Sequence, residues 1–180
     1  GDYAFRSCTS LTSIIIPSSV TTIARYAFFN CSGLTSITIP SSVTSIGESA
    51  FRECSDLTNI TIPESVTSIG DYAFRRCTSL TSVNISSSVT SIGQSAFREC
   101  SSLTSITIPS SVISIGQSAF RACSRLMSII YRGSTAPSLG ANVFEGINSE
   151  ATFTAPDYPE PDSVQKLTWT DDGYSITING

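Results

Sequence analysis

One interval runs through this chain: Cys8, Cys31, Cys54, Cys77, Cys100 and Cys123 stand 23 residues apart at every step. Leu11, Leu34, Leu57, Leu80, Leu103 and Leu126 follow three positions behind them, and Phe5, Phe28, Phe51, Phe74, Phe97 and Phe120 keep the same period. Independent columns sharing one period mark a chain built as a stack of like coils. A coil this short cannot enclose its own apolar groups, so each must be covered by its neighbours. With strands stacked roughly 4.8 Å apart, about seven rungs give a body about 30 Å long.

One repeat, residues 57–79, reads LTNITIPESVTSIGDYAFRRCTS. Ile60 and Ile62 point one way while Asn59 and Thr61 point the other, a short half-buried strand of period two. Pro63 has no N–H to give a ladder and ends that strand. Val66 and Ile69 form a second short extended or turn-like side, closed by Gly70. Ala73, Phe74 and Cys77 then fall at i, i+1 and i+4, a spacing that predicts one or two helical turns. Asp71 stands at the start of that turn, where a helix favours negative charge. The expected fold is an α/β-type parallel-strand solenoid, with its strands on a concave side and short helical turns on the convex side.

The array degenerates toward its C-terminal end. Tyr131 and Arg132 replace the Ile-Pro pair, and one inserted residue makes Phe144 the successor of Phe120. Pro156 then falls in the column of Pro17, Pro40, Pro63 and Pro109, and Phe153 and Ala155 supply a last strand. We assign the solenoid to residues 1–156. Residues 157–163 (DYPEPDS) read as a linker. In 164–180, Leu167 and Trp169 alternate, Asp171-Asp172-Gly173 turns, and Tyr174, Ile176 and Ile178 alternate again, a β-hairpin pattern. It either caps the solenoid or begins a further module. The chain opens at Gly1 in mid-repeat, which we read as the interior of a longer protein.

Charged residues are only 13% of the composition, about half the usual share, so hydroxyls must keep the surface wet. Residues 1–156 hold nine Arg against nine acids, and the net charge of −4 comes from the tail, read as a solvated segment. Without a basic field the repeats are not expected to bind nucleic acid. No apolar run approaches the roughly 20 residues of a membrane span, so no membrane insertion is expected.

The pattern L-x-x-I-x-I-P-x-S-V-x-x-I-G-x-x-A-F-x-x-C, complete in 34–54 (LTSITIPSSVTSIGESAFREC) and 103–123 (LTSITIPSSVISIGQSAFRAC), resembles the BspA-like class of leucine-rich repeats. The resemblance covers about residues 1–156 and rests on many columns at once. It implies a secreted or surface-attached protein of the kind found in anaerobic bacteria and some parasitic protists, acting in adhesion or host contact. The terminal WTDDGYSITING also resembles a hairpin that precedes repeat blocks in such proteins. Departures are Ala24 at the Gly position, Ser86 at the Pro position and the aberrant repeat after Arg125. The family supplies no catalytic residues.

Six cysteines in an extracellular chain ordinarily suggest disulfides. Equivalent residues on adjacent rungs, however, have parallel Cβ vectors near the rung spacing of roughly 4.8 Å, beyond the roughly 3.8 Å of a bridge. Buried reduced thiols are therefore expected. The chain has no His and no C-x-x-C pair, so neither a zinc site nor a Ser or Cys triad is available. Ser49, Ser95 and Ser118 recur as one column, which marks structure rather than a nucleophile. No cofactor and no enzymatic activity are expected.

Arg6, Arg52, Arg75, Arg98 and Arg121 form a convex column. With Asp2, Glu48 and Asp71 four residues earlier, they read as self-neutralising i,i+4 pairs. The outward strand positions are Ser13, Ser36, Asn59, Ser82, Ser105 and Ser128 beside Ile15, Thr38, Thr61, Asn84, Thr107 and Ile130. Such hydroxyl and amide groups suit hydrogen bonding to a glycan or an extended protein strand, although β-branched Thr also simply suits an exposed strand. The candidate ligand residues are Thr38, Asn59, Thr61, Asn84, Thr107, Ile130, Tyr131 and Arg132. The last three lie in the irregular stretch from Arg125 to Phe153, where the array breaks its own pattern. The expected partner is a host extracellular-matrix protein or glycan. The competing reading is a passive spacer displaying another domain, favoured by near-identical repeats. Ice binding by the Thr columns is a remote third, because the outward pairs read Ser-Ile-Thr rather than Thr-x-Thr. Asn30-Cys31-Ser32, Asn59-Ile60-Thr61 and Asn84-Ile85-Ser86 match glycosylation sequons, meaningful in a eukaryotic secretory host.

Overall fold

In the computed structural model, residues 1–155 are described in full, together with the backbone of 165–166, 168–170 and 173–175. The linker 157–163, Pro156, Leu167, Ile176 and Ile178 lie outside the described residues. The strands in chain order are β1 (Thr22–Ile23), β2 (Ser45–Ile46), β3 (Asn59–Thr61), β4 (Ser68–Ile69), β5 (Ser82–Asn84), β6 (Ser91–Ile92) and β7 (Ser105–Ile108). They continue with β8 (Ser114–Ile115), β9 (Ser128–Tyr131), β10 (Ser138–Leu139), β11 (Thr152–Thr154), β12 (Gln165–Lys166), β13 (Thr168–Thr170) and β14 (Gly173–Ser175).

These strands stack into a parallel solenoid. One side of each rung enters a six-stranded parallel sheet in the order β1-β2-β4-β6-β8-β10, the second extended side around Val66 and Ile69. The other strand side pairs as β3-β5 and as β7-β9-β11, with an isolated parallel bridge between Ile15 and Thr38. Register advances by one repeat throughout until Ser138 opposes Ser114 and Phe153 opposes Ile129, so the inserted residue lies between Tyr131 and Ser138. At the C-terminal end β12 runs antiparallel on β11, and β13 pairs antiparallel with β14.

The third side corrects the expectation of helical turns, since the described residues contain no helix. In the rung from Gly70 to Cys77, three successive tight turns are closed by Ala73 N→Gly70 O, Arg75 N→Tyr72 O and Cys77 N→Phe74 O. The intervening N–H groups point to the next rung, where Tyr72 donates to Gln94 O, Phe74 to Ala96 O and Arg76 to Arg98 O, all within 2.9 Å. A helix would turn every N–H back on its own segment, whereas here alternate donors tie the rungs together. The geometry requires left-handed backbone at Tyr72 (φ 58°) and Arg76 (φ 61°), and the same two columns repeat along the chain. Asp71 correspondingly serves no helix start: its Oδ1 accepts the N–H of Gln94 one rung on, at 2.7 Å.

The core is the set of columns read from the period. Phe5, Phe28, Phe51, Phe74, Phe97, Phe120 and Phe144 stack face to face with centroids 5.2–5.5 Å apart and planes within 7°. Burying one such ring contributes about 2–3 kcal/mol. All six cysteines are free, Cys8 exposed and the others buried. Each buried thiol lies at hydrogen-bond distance from a phenylalanine carbonyl of the preceding rung, as Cys77 Sγ does from Phe51 O at 3.2 Å. Burial pushes these thiols up, Cys123 to about 12, so they stay protonated and inert. Glycine closes the corner between the second sheet and the turns. A Cβ on Gly93 would lie 2.6 Å from Asp71 N and from Gly70 C, so any larger residue forces the rungs apart.

Candidate ligand-binding face

The three sides handle their polar groups differently. On the turn side, Arg76 reaches both Glu53 and Glu99, Arg75 and Arg98 also meet Glu99, and Arg121 meets Glu145. Arg25 pairs with Glu48 of the next rung at 3.1 Å. The expected i,i+4 pairs, Asp2 with Arg6, Glu48 with Arg52 and Asp71 with Arg75, are not among the ion pairs of the described residues. Without a helix, residues four apart do not share a face, so the carboxylates come from neighbouring rungs or the adjacent residue. Burial works to raise the Glu99 carboxyl, but the Arg76 hydrogen bond and the charges of Arg76, Arg75 and Arg98 prevail and hold it below its ordinary value. This side neutralises itself.

The strand side is divided. Its flanking threonines donate internally: Thr35 Oγ1 to Thr12 O, Thr58 Oγ1 to Thr35 O and Thr81 Oγ1 to Thr58 O, at 3.0–3.3 Å. The central columns do not. Thr38, Thr61, Ser82, Asn84, Ser105 and Thr107 are exposed and their side chains make no hydrogen bond among the described residues, and Asn59 makes one, donating to Thr58 Oγ1 at 3.1 Å. Their inward neighbours Ile60 and Ile106 are almost wholly buried.

At the fourth rung this regularity fails. Val83 stands where the neighbouring rungs carry Ile60 and Ile106, Asn84 stands in the threonine column, and Ser86 replaces proline. Val83 is half-buried. Ser86 is buried and donates its hydroxyl to Pro63 O at 3.0 Å. Strand pairing is interrupted between β5 and β7. Here a shallow depression of about 370 Å³ lies between Asn59, Thr61, Asn84 and Thr107, with Ile60, Ser82, Val83 and Ile85 completing its lining. No charged residue lines it.

Four of the sequence-derived candidates, Asn59, Thr61, Asn84 and Thr107, are thus brought together, and Thr38 lies on the same face one rung before. Tyr131 does not join them on the outward face. It is 3% exposed and its hydroxyl donates to Thr135 O at 2.6 Å, filling the volume left by the absent Ile-Pro pair. Ile130 is half-buried and Arg132 exposed, on the rung that follows Thr107. The irregular C-terminal stretch therefore spends its novelty on packing. The contributions of Ser82, Val83 and Ile85 were missed; the signal was in the columns, as Val83 and Asn84 both depart from their neighbours. A second cavity, of about 360 Å³, is lined by Phe5, Ile14, Ile16, Val20, Ile23 and Phe28. These are the core columns of the first rung, the set that stacking covers in every later one.

A parallel solenoid of 23-residue coils with a Leu, Ile, Val, Phe and Cys core is a leucine-rich repeat protein. The BspA type leucine rich repeat region matches residues 1–127 and 49–160 in six copies, and the chain belongs to that family. Among solved structures, the leucine-rich repeat protein of T. pallidum is 31% identical, with a TM-score of 0.72 over 83% of this chain and 71% of its own. A leucine-rich repeat protein from Bacteroides ovatus is 27% identical (TM-score 0.58) over 86% of this chain and 57% of its own. A leucine rich cell surface protein from Faecalibacterium prausnitzii is 26% identical (TM-score 0.60) over 88% and 52% respectively. This chain thus spans little more than half of those last two proteins. No curated protein matches it significantly. Repeat proteins of this bacterial-surface type are non-catalytic interaction modules. No helix among the described residues is long and apolar enough to cross a membrane.

Proposed function

We propose that this chain is a non-enzymatic adhesion module that works at a cell surface or outside the cell and recognises a host extracellular-matrix protein or glycan through its outward strand face. The observation that carries this is the contrast in hydrogen bonding: Thr61, Asn84 and Thr107 are exposed and their side chains have no partner among the described residues, while the flanking threonines donate to the preceding rung and the turn-side Arg76 and Glu99 pair with each other. Groups that fold without partners are available to a ligand at no cost in broken internal bonds. The cell-surface setting draws on the printed description of the F. prausnitzii relative.

Biolayer interferometry of the full chain against fibronectin and fibrinogen tests the proposal, with Thr38→Arg, Thr61→Arg and Thr107→Arg combined as the control. Saturable binding that the control loses supports the strand face. Binding that survives the control moves the site to another side. No binding to these proteins or to any glycan supports the passive spacer, the reading favoured by the otherwise regular rungs.

A further inference from the structure

The fourth-rung depression deepens that reading, and its chemistry narrows the ligand class. We propose that the depression centred on Val83 and Asn84 is the specificity site of the strand face and accepts a neutral saccharide unit, an inference that rests on the binding function proposed above.

Its lining holds no ionisable side chain, so nothing there compensates a buried charge on a ligand, and desolvating one without a partner is costly. An extended protein segment, with about a quarter of its residues charged on average, meets this restriction poorly. Nor is there an open strand edge for a peptide to extend, because β5 has β3 paired on one side and β7 packed on the other. What the site offers suits a sugar hydroxyl array. Asn84 and Asn59 each carry both donor and acceptor atoms, and Ser82, Thr61 and Thr107 add hydroxyls that both give and accept. Of these five, only Asn59 has a side-chain hydrogen bond among the described residues. Val83, half-buried, is the inward residue of the lining with aliphatic surface to offer the C–H face of a ring, Ile60 and Ile85 being only 2% and 7% exposed. The volume, about 370 Å³, lies at the small end of ligand sites. Only this rung combines the smaller Val83 with an amide in the threonine column. Recognition therefore depends on the departure from the repeat.

The test places the full chain on printed oligosaccharides ending in galactose, mannose or N-acetylglucosamine, beside sialylated and sulfated ones, with fibronectin and fibrinogen spotted alongside. The key variant is Val83→Ile with Asn84→Thr, which restores the residues of the neighbouring rungs and so keeps the fold. Asn84→Thr alone serves as a second variant, and thermal melts verify that both are folded. Neutral glycans should bind, lose about tenfold or more in affinity in the double variant, and hold within about twofold when salt is raised tenfold. Retention of charged glycans only, or equal binding by folded variants, overturns the saccharide site. So does capture of fibronectin or fibrinogen alone, abolished by the three arginine substitutions, which leaves the strand-face reading intact. Binding of none of the probes defeats both.

Discussion

The turn side and the strand side of each rung are built from the same period yet treat polarity in opposite ways. The turn side carries seven close Arg–Glu contacts and left-handed backbone at two residues per rung, and its backbone N–H groups bond within and between rungs. The strand side holds Thr38, Thr61, Asn84 and Thr107 outward, their side chains without a hydrogen bond among the described residues. One side holds rungs together and the other is left for something else. Substitutions should therefore separate cleanly, with turn-side changes read in stability and strand-side changes in binding.

Phe74→Ala should give the largest effect. It removes one ring from the buried stack between Phe51 and Phe97 and should lower stability by about 3–5 kcal/mol, read by urea denaturation. A loss under about 1 kcal/mol would mean the rungs hold without the ring column. Gly93→Ala should follow at about 1–3 kcal/mol, because the new methyl meets backbone of the preceding rung rather than a movable side chain.

Glu99→Gln should cost about 1 kcal/mol at neutral pH, being partly exposed but shared among three arginines. The sign of its pH dependence follows from the lowered carboxyl. The stabilisation is complete above the ordinary value of 4.5 and disappears as pH falls through the lower folded value. The difference in melting temperature between native chain and variant should therefore shrink as pH drops below that range. A difference that widens in acid contradicts the arginine cluster as its source.

Ala122→Gly should work the other way. Ala122 sits at φ 58° in the column that ends at Gly146, and relieving left-handed strain, net of the entropy of glycine, should stabilise the fold by about 0.5 kcal/mol. The smallest stability effect belongs to the strand side. Thr61→Ser should leave the melt unchanged within about 0.5 kcal/mol, since its hydroxyl has no partner among the described residues. A clear loss of stability there would mean the strand-side threonines are structural, and the comparison between the two sides would fail.

The sequence by itself determined the rung length, the core columns, both extended sides, the outward strand positions and the free thiols. These follow from spacing alone, because a side chain that recurs every coil must either enter the stack or face water. The tertiary structure alone decided the rest. Ala73, Phe74 and Cys77 have helical spacing, but a rung one period away takes the N–H groups of Tyr72, Phe74 and Arg76, and turns win over helix. The same neighbours relocated the carboxylate partners of the arginines. Tyr131 was legible as a break in the repeat, but it occupies the inward column of Ile108 and is buried, its hydroxyl donating to Thr135 O. Asn59, Thr61, Asn84 and Thr107 were legible as outward residues, but their meeting around Val83 was not. A depression belongs to the three rungs that surround it, and a hydrogen bond between rungs depends on a residue 23 positions away.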